Sequence, residues 1–473
     1  MSRQPWQLTA SQIVDAVQHG QLSASEVLES HLQRIDRVNP KVNALTVVFY
    51  ERAREYAAAL DARIALGERV GRLAGVPISI KENIDFTWSP TTEAATFLKD
   101  NVAPTDATLV QRLLDADAVP VARGNMPDFG LRWDTDNDLF GRTINPWDAE
   151  RTPFGSSGGD AVAVATGMSA VGLGNDYGGS LRLPASAAGV CALRTSEGRV
   201  PAPVVAAAPV PLSLQKFAVN GPIARSVADL DLAFSVIHGA DGRDPLAVTV
   251  DHPTGYDGPR RAAILRDPLG WGVEDGMAEA IDRAAGALGD AGWQIEEAEP
   301  PLLEDAARLW RRLSSQEMGG LFEPGVLPGP LTDGATQYFR DNVKGTELFD
   351  NVDAYVDAWA RQALISSLWR QFQSRYPVMI GPVSTADPFP VGFDLSGTPA
   401  TDELWRRHRL VVAVNFLGLP SVALPTHIGR NGLPYGVQVI SPRFGEHIAL
   451  AAASDVEREL GAFTPVDPRE PRE

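Results

Sequence analysis

Strand-like and helix-like stretches alternate along this 473-residue chain, and that alternation constrains the fold more than any single motif. The clearest strand is LAGVPISI, residues 73–80, which is short, β-branched and bounded by glycine. Its near-continuous apolar character predicts burial on both faces, as in a sheet covered by helices. It ends at Lys81. Upstream, Ile13, Val14 and Val17, then Val27, Leu28, Leu32 and Ile35, recur at helical spacing, and Ser23 followed by Glu26 reads as a capping-box start. Residues 52–66 read as an Ala-rich helix. Downstream come a helix at 107–115, a strand at 118–122, a helix at 160–167 and a strand at 169–176. Residues 274–289 and 301–313 read as helices, and 320–334 as a turn-rich stretch. SVALPTHI and YGVQVI flank RNGLP as strand, turn and strand, and residues 445–460 form an amphipathic final helix. Residues 464–473 look frayed. With no repeat, low-complexity tract or clean linker, the reading is a single large α/β domain whose sheet is covered by helices on both faces.

Composition narrows the function. Lys plus Arg number 42 against 60 Asp plus Glu, a net charge of −18, so the surface repels phosphate backbones and anionic lipid. Nucleic acid and membrane are not expected partners. The longest apolar stretch, residues 410–424, contains Asn415, Gly418 and Pro420 and reads as core rather than a membrane span. The N-terminus lacks the apolar segment of a secretory signal, and the expected location is cytoplasmic. The one cysteine, Cys191, sits in the apolar run AAGVCAL and reads as a buried inert thiol. The seven histidines are scattered without metal-ligand spacing, so neither metal nor cofactor is expected.

Three patterns could supply a nucleophile. GSSGG, Gly155–Gly159, formally matches GxSxG with Ser157 as attacker, but INPWDAERTPF before it is not a strand, as a nucleophile elbow requires. His408, His427 and His447 can be nominated only loosely as its base. Ser213 and Lys216 form an SxxK without a KTG partner, which reads as chance. The third pattern is wider: a lysine at a strand end in GVPISIKEN, the paired serines of RTPFGSSGGDAVAVATG, and a second glycine–serine knot in GNDYGGSLRLPAS. A lysine can act as base when burial disfavours its ammonium form, and a second hydroxyl can carry the proton between it and the nucleophile.

These three stretches together resemble the amidase signature family of Ser-Ser-Lys hydrolases. SASEVLESHLQRIDRVNPKVNA, NMPDFG, FGRTINPWD, GLPSVALP and GLPYGVQVI extend the likeness over nearly the whole chain. The resemblance implies a mixed central sheet, with a helical N-terminal segment at 8–66, a catalytic core at 73–240, a substrate-shaping region at 270–400 and C-terminal strands and helix at 408–462. It implies Ser180 as the acylated nucleophile, Ser156 as a bridging serine after a cis peptide from Gly155, and Lys81 as the base. The N–H groups of Tyr177, Gly178, Gly179 and Ser180 would form the oxyanion hole. Leu131 and Trp133, with Tyr177, would line an apolar or aromatic substrate pocket. Ser157 would be structural, and Arg182 would pair with Asp176 beneath the loop.

The sequence departs from the family pattern at Asn175, Tyr177 and Asp160, and CALRTSEGRVP lacks the usual proline. These departures bear on substrate, not chemistry. The implied activity is hydrolysis of a small-molecule amide, with esters and carbamates also plausible, by a monomer or homodimer. The A subunit of a glutamine-dependent tRNA amidotransferase is the main rival; its loop resembles GSIRQPA, where this chain has Leu183. Two further alternatives are an esterase using Ser157 and a non-catalytic binding protein, the second opposed by the intact Lys81, Ser156 and Ser180.

Overall fold

The computed structural model describes residues 4–202, 210–322 and 325–469. Eleven strands among these residues form one sheet. They are Leu45–Val48 (β1), Pro77–Lys81 (β2), Val119–Gly124 (β3), Val171–Asp176 (β4), Cys191–Arg194 (β5), Val219–Ala224 (β6), Arg261–Ile264 (β7), Gln294–Glu297 (β8), Val378–Pro382 (β9), Ser421–Ile428 (β10) and Pro434–Ile440 (β11). Their order is β1-β3-β2-β4-β6-β5-β10-β11-β9-β7-β8. β2 pairs in parallel with β3 and β4, β7 pairs in parallel with β8 and β9, and the remaining ladders are antiparallel, so the sheet is mixed.

Successive side chains on a strand point to opposite faces. In β10, Val422 and Leu424 enter one core and Ala423 the other; in β9, Val378 and Ile380 are separated from Met379 in the same way. Two apolar cores therefore flank one sheet, and all five residues of β2 are buried. The fold is a single α/β domain with helices on both faces.

The capping box forms as read: Glu26 N–H donates to Ser23 Oγ (3.0 Å) and Ser23 N–H to Glu26 Oε2 (2.8 Å). That helix runs through Pro40 to Val42, beyond the apolar pattern. β2 starts at Pro77 rather than residue 73 and includes Lys81. The helix read at 301–313 spans Leu303–Met318. The 24-residue helix Val352–Arg375 had no visible signature, because its apolar residues are spread around the cylinder and only Ala358, Ile365, Trp369 and Gln373 are buried. In the turn-rich stretch, a short 3-10 turn covers Gly319–Phe322, residues 323–324 lie outside the described residues, and a helix starts at Asp333.

The frayed tail needs correction. Arg34 reaches from a buried position to Asp467 (2.5 Å) and the Val466 carbonyl (3.1 Å). Val466 N–H donates to Ala165 (2.9 Å), and Arg469 lies over the Trp147 ring. These contacts hold residues 464–469; residues 470–473 lie outside the described residues. The apolar stretch at 410–424 divides into the helix Arg409–Phe416, from its second residue on, and the start of β10, and no described helix is long and apolar enough to cross a membrane.

Candidate active site

Parallel pairing brings the ends of β2 and β4 to one edge of the sheet, Ile80 opposite Leu173. Ligand sites in such sheets gather beyond the carboxyl ends of strands. β2 ends on Lys81, and β4 runs through Asn175 and Asp176 into the loop Tyr177–Ser180 and the helix Arg182–Ala188. The helix Gly158–Ala165 packs against both strands and carries Ser156 and Ser157 at its start. The Gly155–Ser156 peptide is cis.

Lys81 has no solvent exposure. Its Nζ lies 2.7 Å from Ser156 Oγ and 2.6 Å from Asn175 Oδ1. The Asn175 amide donates from Nδ2 to Asn83 Oδ1 (2.8 Å), which directs its oxygen at the lysine. An amide oxygen accepts only. Lys81 must therefore donate to Asn175, and its lone pair, when it is neutral, is left for the Ser156 hydroxyl. Burial lowers the Lys81 pKa to about 7, against the opposing pull of Asp160, Glu93 and Asp176.

Asp160 sits behind this pair. Its Oδ1 accepts from Ser79 Oγ (2.7 Å), and Ser79 shares a face of β2 with Lys81. Burial raises its carboxyl to about 7, opposed by the Ser79 bond and by Lys81 and Arg123. Asp176 is the contrasting carboxylate. Burial opposes its charge, but Arg182, Arg194 and Asn415 outweigh it and hold the group well below the usual carboxylate range. Arg182 Nε stands 3.0 Å from Asp176 Oδ2.

Asp176 also organises the loop above it. The Gly179 N–H donates to Asp176 Oδ1 (2.9 Å), at a φ of +99° that glycine adopts without steric cost. This corrects the expected donor set: an N–H turned down to a buried carboxylate does not face a substrate oxygen, so Gly179 leaves it. The N–H groups of Tyr177, Gly178 and Ser180 have no hydrogen-bond partner among the described residues.

Ser156 and Ser180 open onto one cavity of about 330 Å³. Trp133, Tyr177, Trp310, Tyr338 and Phe339 give it an aromatic wall, and Leu131, Asp85, Asp106 and Arg243 also line it. Trp133 and Trp310 stack with ring centroids 6.3 Å apart. Each indole N–H also holds the loop: Trp133 Nε1 donates to Gly178 O (2.9 Å) and Trp310 Nε1 to Tyr177 O (3.1 Å). The Tyr177 hydroxyl donates to Ser314 Oγ (2.7 Å).

The family model described as Amidase matches residues 26–450. The chain belongs to the amidase family. It is 35% identical over 465 residues to an indoleacetamide hydrolase of Bradyrhizobium diazoefficiens, covering 97% of this chain and 87% of the relative. It is 36% identical over 481 residues to the A subunit of the glutamyl-tRNA(Gln) amidotransferase of Deinococcus radiodurans, covering 95% and 96%. A bacterial aryl acylamidase structure superposes with a TM-score of 0.82 at 27% identity over 96% of both chains.

In this amidase the other sequence candidates fall apart. Lys216 pairs with Glu197 (2.7 Å) while Ser213 Oγ lies 3.1 Å from the Tyr177 hydroxyl oxygen, so the SxxK is no unit. Ser157 is buried, its N–H donating to Ser180 O (3.2 Å) and its hydroxyl weakly to Asn175 O (3.4 Å). No histidine is hydrogen-bonded to Ser156, Ser157 or Ser180 among the described residues. His408 is wedged between Trp133 and Phe154, and His427 stacks on Tyr435. Cys191 is buried inside β5. Sequence reasoning missed Asn175 as the partner of Lys81, although its departure from the family pattern was the signal. It also missed Trp310, Ser314 and Tyr338, whose only signal was a helical pattern far along the chain.

Proposed function

We propose that this amidase hydrolyses aryl or otherwise apolar carboxylic amides through an acyl-enzyme on Ser180. The observation that carries the reading is the buried Lys81 Nζ, 2.7 Å from Ser156 Oγ and fixed from its other side by Asn175. Ser180 Oγ attacks the carbonyl carbon and gives its proton to Ser156 Oγ, whose own proton passes to the neutral Lys81. The oxyanion takes hydrogen bonds from the N–H groups of Tyr177, Gly178 and Ser180, donors already in place before charge develops. Collapse breaks the C–N bond, and the proton returns through Ser156 to the departing amine. Water then repeats the sequence on the ester and frees the acid and Ser180. Asp176 and Arg182 hold the loop from below.

The aromatic wall supports an aryl group on the acyl or amine side, as do the activities for which the indoleacetamide hydrolase and the aryl acylamidase are named. Esters and carbamates present the same carbonyl to Ser180 and are expected secondary substrates. The amidotransferase reading has the sequence identity in its favour. Against it stand Leu183, fully buried where the amidotransferase loop carries glutamine, and an aromatic wall unsuited to a polar amide.

A serine-reactive aryl phosphonate, with the adduct located by peptide mass spectrometry, tests the reading. The expected adduct is on Ser180 and is lost in Lys81→Ala. An adduct on Ser157 would overturn the reading. Turnover of an arylacetamide such as indoleacetamide, with none of glutamine, separates it from the amidotransferase.

A further inference from the structure

We propose that Trp310 is a positioning residue that aims and polarises the Gly178 N–H as an oxyanion donor, a role resting on Ser180 as nucleophile. A trans peptide unit sets its C=O and N–H in opposite directions, so whatever holds the carbonyl aims the N–H. Four consecutive units cross the loop. The Asp176 carbonyl accepts from Asn415 Nδ2 (3.2 Å), the Tyr177 carbonyl from Trp310 Nε1 (3.1 Å), the Gly178 carbonyl from Trp133 Nε1 (2.9 Å) and the Gly179 carbonyl from Leu183 N–H (2.8 Å). The N–H groups opposite them belong in turn to Tyr177, Gly178, Gly179 and Ser180. Only that of Gly179 is consumed within the loop, by Asp176. The other three are left facing away from their carbonyl partners.

Trp310 stands apart among these holders. Asn415 and Leu183 belong to the buried scaffold around Asp176, and Trp133 governs the N–H that is already bonded. Trp310 alone holds the unit of a free donor from a helix, Leu303–Met318, that also lines the cavity. One turn later, Ser314 accepts the Tyr177 hydroxyl (2.7 Å), so one helix face grips the residue at both ends. The fit is close: a Cβ at position 178 would come within 2.5 Å of the Trp310 ring. A donor on the carbonyl also strengthens the N–H of the same amide, since linked hydrogen bonds polarise one another. Substrate recognition and oxyanion geometry thus meet in one indole.

The test replaces Trp310 in the full-length enzyme by Trp310→Phe and, separately, by 3-benzothienylalanine, which keeps the ring's shape and puts sulfur where the N–H was. The measurements are kcat and KM for an aryl amide and the inhibition constant of an aryl trifluoromethyl ketone, which a serine converts to a tetrahedral alkoxide. The expected result is a kcat lower by about 10-fold, less than the loss of an oxyanion donor itself. KM should stay within about twofold, and ketone affinity should fall by the same factor as kcat/KM. A packing role would move KM and leave the benzothienyl variant like wild type; either result overturns the proposal. If Trp310→Phe fails to fold, the benzothienyl variant decides. Phosphonate labelling of the wild-type enzyme keeps the two failures apart. An adduct away from Ser180 defeats the mechanism itself, whereas an adduct on Ser180 with an unchanged kcat in the benzothienyl variant defeats only the role of Trp310.

Discussion

Lys81, Ser156, Asn175 and Ser180 make the polar floor of the cavity, and Trp310, Tyr338 and Phe339 its aromatic wall. The floor comes from the ends of two adjacent parallel strands and one short helix start. Those three wall residues come from the helices Leu303–Met318 and Asp333–Lys344, much further along the chain, beside Trp133 and Tyr177 from nearer the floor. On the floor Lys81, Ser156 and Asn175 are linked by hydrogen bonds, as a relay requires, since a proton moves only between groups within hydrogen-bond reach. The wall needs area and shape, which many apolar residues can supply. The proposed mechanism thus puts chemistry on the floor and recognition on the wall, joined where Trp310 and Trp133 hold the loop between them.

That separation predicts a hierarchy of effects. Ser180→Ala and Lys81→Ala should each lower kcat on the order of 10⁴-fold in steady-state assays with an aryl amide, since members of such a unit fail together. Retention of a tenth of wild-type kcat in either variant would break the assignment of chemistry to the floor. Asp176→Asn should lower the unfolding free energy by about 3 kcal/mol, read from the urea midpoint, because it leaves Arg182 and Arg194 buried without their counter-charge. Tyr338→Ala should raise KM for an aryl amide about 10-fold and leave kcat within about twofold. A kcat loss as large as the KM change would mean that wall and floor are not independent.

The pH profile sharpens the same comparison. In the proposed mechanism neutral Lys81 is the working form, so kcat/KM should rise with pH through about 7 and level off above it. The Asp160 carboxylate favours the ammonium form of Lys81. Asp160→Asn should therefore move the rising limb to lower pH, by less than about one unit, whereas Tyr338→Ala should leave it in place. An unmoved limb in Asp160→Asn would mean that Asp160 is already protonated there. The smallest effect belongs to Ser157→Ala, expected to keep kcat within about threefold, since that hydroxyl makes only a 3.4 Å contact. A collapse of activity there would transfer the nucleophile to Ser157.

Much of the floor was legible because it lies in short, dense motifs. GVPISIKEN, GSSGGD and GNDYGGSLR each place a functional group within a few residues of a strand end or helix start, where local geometry is set by neighbours in the chain. The error at Gly179 is instructive. Its N–H stands in the same run of glycines as the free donors, and only the buried carboxylate of Asp176 beneath it diverts it. The frayed tail failed for the same reason: residues 464–469 carry no local signal of order, and partners as distant as Arg34 and Trp147 hold them down.

By itself the sequence determined the α/β class, the cover of helices on the sheet and the three stretches that carry Lys81, Ser156 and Ser180. Periodicity and turn chemistry act over a few residues, and that is the range over which they can be read. Only the tertiary structure decided that Asn175 faces Lys81, that Asp160 lies behind it, that Gly179 turns down to Asp176 and that Trp310 grips the loop. Each of these depends on elements brought together by sheet pairing and helix packing. The direction of an N–H or the burial of an ammonium is then a property of the surroundings, not of the residue.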